Sequence, residues 1–349
     1  MTFREVTLQA REHLGPFCKG CFECNGKACT NTIPGPGAKG IGDTAVLNYQ
    51  AWRSVRVNMD CLQEGGAIDT GLDLFGMHLK YPFFAGPVGA VQLHYGKKYT
   101  DLTYNDTLVS ACAQEGILAF TGDGTDPGVM ASAAKAIAAA GGKGIPTVKP
   151  WNKETILEKL KLVHESGAPA VAMDIDASGL PFLKNLTPPA GAKSVEELKD
   201  IIKDSGLPFI VKGIMTVEGA RKAAQAGAAA IVVSNHGGRV LDGCPPTAQV
   251  LPAIARYVKT ETDMKVFVDG GIRSGLDVFR ALALGADAVL VARPFVTATY
   301  GAGAEGIAAL VAKMGSELED TMTMCGARCL RDISSDMIFR NNSAPSEYR

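Results

Sequence analysis

The stretch that decides the fold runs from residue 229 to residue 239 and reads AAIVVSNHGGR. Five apolar residues are followed by a polar turn that contains two glycines. A short apolar run ending in such a turn is typical of a buried parallel strand that delivers side chains to a site at its carboxyl end. We therefore predict a parallel α/β sheet with a site built around this turn.

Seven other short apolar runs recur along the chain, with helical patterns between most of them. The eight runs occupy residues 83–86, 117–121, 145–149, 170–175, 209–212, 229–234, 265–269 and 288–292. Helix starts between the runs are marked by Asn152, by Ser194 before two acidic residues, and by Thr216. Eight strand and helix units in this order predict a (β/α)8 TIM barrel, with an open doubly wound sheet as the alternative.

The residues before the repeat form a segment of their own. We assign 1–80 to a Cys-rich segment and N-terminal helices that pack on the barrel, including a helical run near 48–63. Residues 81–349 are assigned to the barrel and its C-terminal helices, a length that suits this fold. The long loop 176–193 follows the fourth strand, and it is either a lid over the site or a plain connection.

Composition and charge exclude several functional classes. Lys and Arg number 35 and Asp and Glu 36, so a net charge of −1 indicates neither a nucleic-acid partner nor an anionic membrane. The apolar runs are too short to span a bilayer, and the charged N-terminus has no apolar signal region. Nine cysteines without such a signal favour a reducing cytoplasm, with free thiols or a bound metal.

The polar turn after residue 233 offers a base and a fixed cation. His236 and Arg239 are three residues apart, and the glycines between them permit close approach of a substrate to the backbone. This pair is suited to activating the hydroxyl of a small hydroxy acid while binding its carboxylate. Asp174 and Asp176 end the fourth strand on one face. One of them is a candidate to orient His236 and stabilise its imidazolium, the alternative being a cap of the following loop.

A phosphate site is predicted from two adjacent loops. The turn 269–273 reads DGGIR after the seventh strand, and 292–294 reads ARP after the eighth. Barrels often bind phosphate with these two loops, and Arg273 and Arg293 supply charge. The alternative is two tight turns with solvated arginines. Lys212 ends the fifth strand in an apolar run, either to stabilise negative charge on an electron-rich ring or to form a structural ion pair.

The N-terminal cysteines have the spacing of a metal site. Cys18, Cys21, Cys24 and Cys29 form the pattern C-x2-C-x2-C-x4-C. Four thiolates this close are similar to a ligand set for an iron–sulfur cluster or for zinc. The alternative is four reduced thiols in a flexible loop.

Three of these motifs together resemble one family. SNHGGRVLD at 234–242, DGGIR at 269–273 and RPF at 293–295 resemble the FMN-dependent α-hydroxy acid dehydrogenases and oxidases, which include glycolate oxidase and lactate oxidase. The resemblance extends from about residue 48 to the C-terminal helix. It implies FMN-dependent oxidation of a small (S)-2-hydroxy acid, such as lactate or glycolate, to the 2-oxo acid. It also implies an electron acceptor (oxygen, a quinone or an electron carrier) and, by analogy, a homo-oligomer (a tetramer or octamer).

The resemblance assigns roles to individual residues. It implies that His236 is the base, that Asp176 is its partner and that Arg239 holds the substrate carboxylate. It also implies that Lys212 stabilises the reduced flavin. The residues that it assigns to FMN binding are Val88, Gly89, Thr121, Lys212, Ser234, Asp269, Gly271, Arg273, Ala292 and Arg293.

The chain departs from the family pattern around the substrate. The third strand ends in TVKPW (147–151), without the usual Gln and Tyr, and the Cys-rich segment replaces a tyrosine-bearing one. His94, Tyr95 and Lys149 are candidates to complete the substrate pocket. Two other functions therefore stay open, an FMN barrel enzyme with isomerase-like chemistry and a non-catalytic redox sensor that uses FMN and the Cys cluster.

Overall fold

The computed structural model describes residues 1–33, 35–180, 183 and 190–340. The helices and strands are α1 (Phe3–Arg11), α2 (Asp43–Ser54), β1 (Val55–Val57), β2 (Leu72–Leu74), β3 (Met77–Leu79), β4 (Phe83–Ala85), α3 (Val91–Tyr95), α4 (Asp101–Gln114), β5 (Phe120–Thr121), α5 (Pro127–Ala139), β6 (Ile145–Val148), α6 (Lys153–Glu165), β7 (Val171–Asp174), α7 (Val195–Ser205), β8 (Phe209–Ile214), α8 (Val217–Gln225), β9 (Ala230–Val233), α9 (Thr247–Glu261), β10 (Lys265–Val268), α10 (Gly275–Ala283), β11 (Ala288–Val291), α11 (Arg293–Cys325) and β12 (Ile338–Arg340). Short 3-10 helices lie at Ile175–Gly179, His236–Gly238, Leu330–Asp332 and Ser335–Met337.

Eight parallel strands form the barrel. Their order is β4-β11-β10-β9-β8-β7-β6-β5, so strands that are consecutive in the chain are neighbours in the sheet. The barrel closes between β4 and β5, where Ala85 pairs with Ala119 and its N–H donates to the Leu118 carbonyl at 3.0 Å. Each of the eight predicted runs coincides with one of these strands, although β8 extends two residues beyond its run. The predicted (β/α)8 barrel is confirmed, and the open sheet is wrong.

Aromatic side chains fill the barrel interior. The ring of Phe84 lies 6.4 Å from that of Phe120 and 6.3 Å from that of Phe267, measured between centroids, and all three side chains are fully buried. Strand β9 is buried along its whole length between β8 and β10. A packed interior leaves ligands only the ends of the barrel, and in this fold sites lie at the carboxyl ends of the strands.

The predicted helix starts are confirmed by side-chain caps. The Asn152 side chain accepts from Thr155 N at 3.2 Å, and Ser194 forms a capping box with Glu197. Thr216 Oγ1 accepts from Gly219 N at 2.9 Å. Each cap satisfies an N–H that has no partner within the helix.

The N-terminal helices pack on the barrel body. Helix α1 lies on α11, where Gly301 allows the backbone of Val6 to approach so closely that a Cβ would overlap it. Helix α2 contacts α9. The predicted helical run near 48–63 is wrong beyond Ser54, because Val55–Val57 pairs antiparallel with Ile338–Arg340. Valines alternating with Arg56 suit such a two-stranded ladder better than a helix.

Helix α11 is, within the described residues, the one helix long and apolar enough to cross a membrane by length and composition. Its backbone is broken at Ala302 and Gly303, and 56% of its most apolar window is buried in the protein. It packs against α1, α4 and α10. The core helix of a soluble protein passes the same test, so α11 is only a weak indication of a membrane span.

We expect Gly275→Ala to destabilise the barrel. A Cβ at Gly275 would overlap the backbone of Met314 and Leu318 in α11, and backbone cannot rotate away as a side chain can. Overpacking of this kind costs about 1–3 kcal/mol of unfolding free energy. Urea unfolding measures it, with Gly65→Ala as control because nothing lies within 4 Å of a Cβ there. Equal stability of the two variants would contradict the close packing of α10 on α11.

Candidate active site

A cavity of about 250 Å³ lies at the carboxyl ends of the barrel strands. Loops that follow β4, β5, β6, β9, β10 and β11 line it, together with Asp174 of β7 and Lys212 of β8. The residues predicted from sequence that line it are Val88, Gly89, His94, Tyr95, Lys149, Lys212, His236, Arg239, Asp269, Gly271, Arg273, Ala292 and Arg293. The fold thus brings most of the predicted site residues to one cavity.

His236 is held by two carboxylates. Its Nδ1 lies 3.0 Å from Asp176 Oδ1 and 3.5 Å from Asp174 Oδ1. Asp176 does not line the cavity, so it contacts the His236 ring on the side away from the cavity. With Nδ1 facing carboxylates, Nε2 is the nitrogen available to a substrate.

The backbone of the turn is fixed around the histidine. His236 has φ of +54°, a left-handed conformation that is costly for a residue with a Cβ and is characteristic of functional sites. The preceding Asn235 forms a side-chain amide pair with Asn48 of α2, at 2.7 and 3.0 Å. Helix α2 therefore stabilises the turn that holds His236.

Asp174 is the centre of a buried charge network. Its carboxylate lies 3.1 Å from Lys212 Nζ and 3.3 Å from Lys149 Nζ, while Lys212 Nζ is 3.7 Å from Asp269 Oδ2. Burial alone would raise the pKa of Asp174, but His236, Lys212 and Lys149 together hold that pKa well below its ordinary value. Asp174 is thus a permanent anion between two lysines.

The second carboxylate behaves differently. Burial raises the pKa of Asp176, and the charge of Asp174 adds to that rise, although Lys212 and His236 oppose it. The buried Asp176 Oδ2 has no hydrogen-bond partner among the described residues. Of two neighbouring carboxylates, one therefore stays ionised and the other takes up a proton more readily.

The N-terminal loop 35–37 joins two of the predicted substrate residues. Arg239 Nη1 donates to the carbonyls of Gly35 and Gly37, the second at 3.3 Å. Gly35 N donates to His94 Nδ1 at 2.9 Å. Burial, together with the nearby charges of Arg239 and Lys149, lowers the pKa of His94 to about 4. His94 is therefore neutral at physiological pH, and the loop links it to Arg239 beside the cavity.

The two predicted phosphate arginines are buried with unused donors. Arg273 Nε donates to Cys24 O at 2.8 Å and its Nη1 to Ile272 O at 2.6 Å, whereas Nη2 has no partner among the described residues. Arg293 Nη1 is unpartnered in the same way. Burial raises the pKa of the Cys24 thiol, but the two guanidinium groups outweigh burial and lower it. This corner of the cavity thus attracts anions.

Some predicted residues lie elsewhere, and some cavity residues were missed. Ser234 and Thr121 do not line the cavity; Ser234 Oγ instead accepts from His236 N at 3.1 Å. Sequence reasoning missed Asp123 and Thr147, which do line it. Asp123 accepts from Lys159 Nζ and Trp151 Nε1, both at 2.7 Å. The glycines on either side of it, directly after a predicted strand, were the available signal.

The loop after β7 can be placed only in part. Leu180 lines the cavity, but 181–182 and 184–189 of the predicted lid lie outside the described residues.

A profile of the family described as FMN-dependent dehydrogenase matches residues 36–185 and 182–340, most of the chain. The chain belongs to the FMN-dependent dehydrogenase family. The resemblance predicted from the three motifs is thereby confirmed, and so is FMN as the cofactor.

Several relatives of this FMN-dependent dehydrogenase family member are named L-lactate dehydrogenase. The chain is 45% identical over 161 residues to an L-lactate dehydrogenase of Xanthobacter autotrophicus, a match that covers 46% of this chain and 40% of the relative. It is 51% identical over 133 residues to an L-lactate dehydrogenase of Xanthomonas axonopodis pv. citri, covering 38% of this chain and 34% of the relative. The matched part is therefore less than half of these relatives.

Solved structures match over nearly the whole chain. A lactate oxidase of Pediococcus acidilactici, described as putative, gives a TM-score of 0.79 at 25% identity and covers 97% of this chain and 94% of that one. A mandelate oxidase variant bound to 2-hydroxy-phenylacetamide gives 0.78 at 28% identity, with 95% and 96% coverage. Both support the barrel assignment.

The residues of the cavity fit FMN. Four residues that line the cavity have a buried polar atom with no partner among the described residues: Thr147 Oγ1, Asp269 Oδ1, Arg273 Nη2 and Arg293 Nη1. Buried polar atoms are normally hydrogen-bonded, so such a set indicates a polar ligand. Two guanidinium donors suit a phosphate, and helix α11, which begins at Arg293, adds its N-terminal N–H groups.

We expect Arg293→Met to weaken FMN binding selectively. Loss of a charge-assisted hydrogen bond worth about 1.5–3 kcal/mol corresponds to a fall in affinity of about 10- to 150-fold. Flavin fluorescence titration of the apoprotein measures it. Riboflavin, which lacks the phosphate, is the control ligand and should bind both proteins equally. An equal loss for both flavins would place the phosphate elsewhere.

We expect Asp174→Asn to lower stability in a pH-dependent way. It leaves Lys149 and Lys212 without their shared anion, and breaking a buried pair costs about 3–5 kcal/mol. The pKa of Asp174 in the folded protein is depressed below its ordinary value of 3.8. The difference in unfolding free energy between wild type and variant is therefore fully present above pH 3.8, and it shrinks as pH falls below that value.

Urea unfolding between about pH 7 and about pH 3 measures this difference. Asp176→Asn is the matched control, because the raised pKa of Asp176 gives the opposite slope: wild type gains stability relative to that variant as pH falls. If the unfolding free energies of both variants, relative to wild type, changed with pH in the same direction, the assignment of Asp174 as the ionised partner would be contradicted.

Proposed function

We propose that this protein uses FMN to oxidise a small (S)-2-hydroxy acid, lactate or glycolate in type, to the 2-oxo acid. The observation that carries the proposal is the meeting of His236, backed by Asp176 at 3.0 Å, with Arg239 and Lys212 in one cavity that also ends in two phosphate-suited arginines. Named relatives include L-lactate dehydrogenases and a putative lactate oxidase.

The flavin site would use residues from three loops and one strand. Arg273 and Arg293 would hold the phosphate, Asp269 a ribityl hydroxyl, and the Val88–Gly89 backbone the ring. When bound, FMN supplies an acceptor for the two electrons that leave the substrate. Lys212, kept charged by Asp174, Asp176 and Asp269 despite its burial, would stabilise negative charge on the ring.

His236 would act as the general base. Its Nε2 takes a proton from the substrate, and the resulting imidazolium is stabilised by Asp176 on Nδ1. Asp174, 3.5 Å from the same nitrogen, adds a second negative charge. The cation is thus formed beside an ionised carboxylate, which lowers the cost of the proton transfer.

Arg239 would bind the substrate carboxylate and fix its orientation. Since Nη1 is held by the carbonyls of Gly35 and Gly37, the guanidinium cannot rotate freely. Tyr95, Lys149 and neutral His94 would complete the wall.

The acceptor that reoxidises the flavin would be oxygen, a quinone or an electron carrier. We further propose that the protein acts in the cytoplasm and as a homo-oligomer, a tetramer or octamer by analogy with its family.

We expect His236→Ala to lower turnover of the hydroxy acid by about 10²- to 10⁴-fold while FMN stays bound. The reason is that His236 is the one described histidine lining the cavity whose ring lies against a pair of carboxylates. Formation of 2-oxo acid with an artificial dye acceptor measures it, and His164→Ala on the exposed face of α6 is the control.

Three outcomes separate the functions. Loss of hydroxy acid turnover in His236→Ala, with turnover retained in His164→Ala, supports the proposed oxidation. A product with the same oxidation state as the substrate indicates an isomerase-like enzyme. No product at all from the wild type, with flavin bound and redox-responsive, indicates a sensor.

A further inference from the structure

The Cys-rich segment is the motif that the proposed function leaves without a role. Its four cysteines are free and half-buried. No helix or strand lies between α1 and α2 in the described residues, and one hydrogen bond between two backbone groups, Asn25 N to Glu23 O, lies within 17–33. A segment with so little internal structure needs another source of stability to hold four thiols in place.

Contacts attach this segment to the barrel on several sides. The ring of Phe22 lies 4.1 Å from the guanidinium carbons of Arg4 and Arg11 in α1, and Arg11 Nε donates to Gly20 O at 2.8 Å. The backbone of Gly26 lies against Ala45 of α2. The segment is thus gathered between α1, α2 and the loop of Arg273.

The surroundings of the thiols are cationic. Arg273 Nε donates to the carbonyl of Cys24, and Arg11 Nε donates to that of Gly20, which precedes Cys21, both at 2.8 Å. Four thiolates around a metal carry a net negative charge, which such cations stabilise.

From these observations we propose that Cys18, Cys21, Cys24 and Cys29 bind an iron–sulfur cluster. The sulfur spacing favours it over zinc. Four thiolates at 2.3 Å from one zinc ion lie about 3.8 Å apart. In the described residues no three cysteine sulfurs lie within 4.8 Å of one another. A cluster of several irons is wider than one ion and suits more widely spaced ligands.

Among the described residues, one group of three possible metal ligands does have its ligand atoms within 4.8 Å of one another. It consists of Asp174, Asp176 and His236. Two lysines already neutralise Asp174, so a cation there is disfavoured.

The position of the cluster suggests its use, and this part rests on the proposed function. Arg273 donates to the Cys24 carbonyl at 2.8 Å and also lines the cavity, so the two sites are adjacent. Oxidation of one hydroxy acid releases two electrons and two protons. The electrons would leave in two one-electron steps through the cluster to a one-electron carrier protein, reducing two carriers, and the protons would pass to solvent.

The experiment is iron and acid-labile sulfide analysis of the full chain purified without oxygen and reconstituted with Fe²⁺ and sulfide. We expect about four irons and equal sulfide per chain, as for a cluster held by four cysteines. Cys21→Ser and Cys29→Ser, made separately, should each lower iron at least fivefold. Cys61→Ser and Cys244→Ser, outside the segment, should retain it.

Flavin content reports whether each variant is folded, independently of iron. Stoichiometric zinc without iron, no metal at all, or equal loss of iron in the control variants would overturn the cluster. The proposed electron transfer, but not the cluster, would be overturned by one result. In that result the hydroxy acid bleaches the flavin, while the iron that is present keeps its oxidation state and a one-electron carrier protein stays unreduced. A flavin that no hydroxy acid bleaches would count against the proposed function and not against the cluster.

Discussion

The charge balance around Asp174 is the constraint on which the site depends. A buried carboxylate is tolerated only with partners, and here Lys212 at 3.1 Å and Lys149 at 3.3 Å supply them. The same carboxylate lies 3.5 Å from the ring of His236. One anion thus neutralises two buried lysines and lies beside the proposed base. Its loss would disturb both parts of the site together.

A second shared element is the arginine pair. Arg273 and Arg293 each have a buried N–H without a partner among the described residues, which suits a phosphate, and Arg273 also binds the backbone of Cys24. The N-terminal segment contacts the other side of the site too, since loop 35–37 joins Arg239 to His94. The segment before the barrel therefore contacts the proposed active site on two sides.

Sequence alone predicted the barrel well, because eight buried strands leave eight apolar runs and the helix caps are local signals. The sequence-based prediction was wrong where contacts between residues distant in the chain determine the structure. The helical pattern after Ser54 is overridden by pairing of Val55–Val57 with β12, nearly 300 residues away. Ser234 ends a strand beside the cavity, yet its hydroxyl faces the turn of His236. The role of Asp123 depends on Lys159 and Trp151, whose proximity no local pattern shows.

The most direct test is an anaerobic visible absorption spectrum of the purified protein before and after addition of L-lactate, glycolate and longer 2-hydroxy acids, with D-lactate as the stereochemical control. We predict a flavin spectrum that bleaches with at least one (S)-2-hydroxy acid or with glycolate, and not with D-lactate. A flavin that stays oxidised with every hydroxy acid would contradict the proposed oxidation. A protein that binds no flavin after reconstitution with FMN would contradict the assignment of the cavity itself.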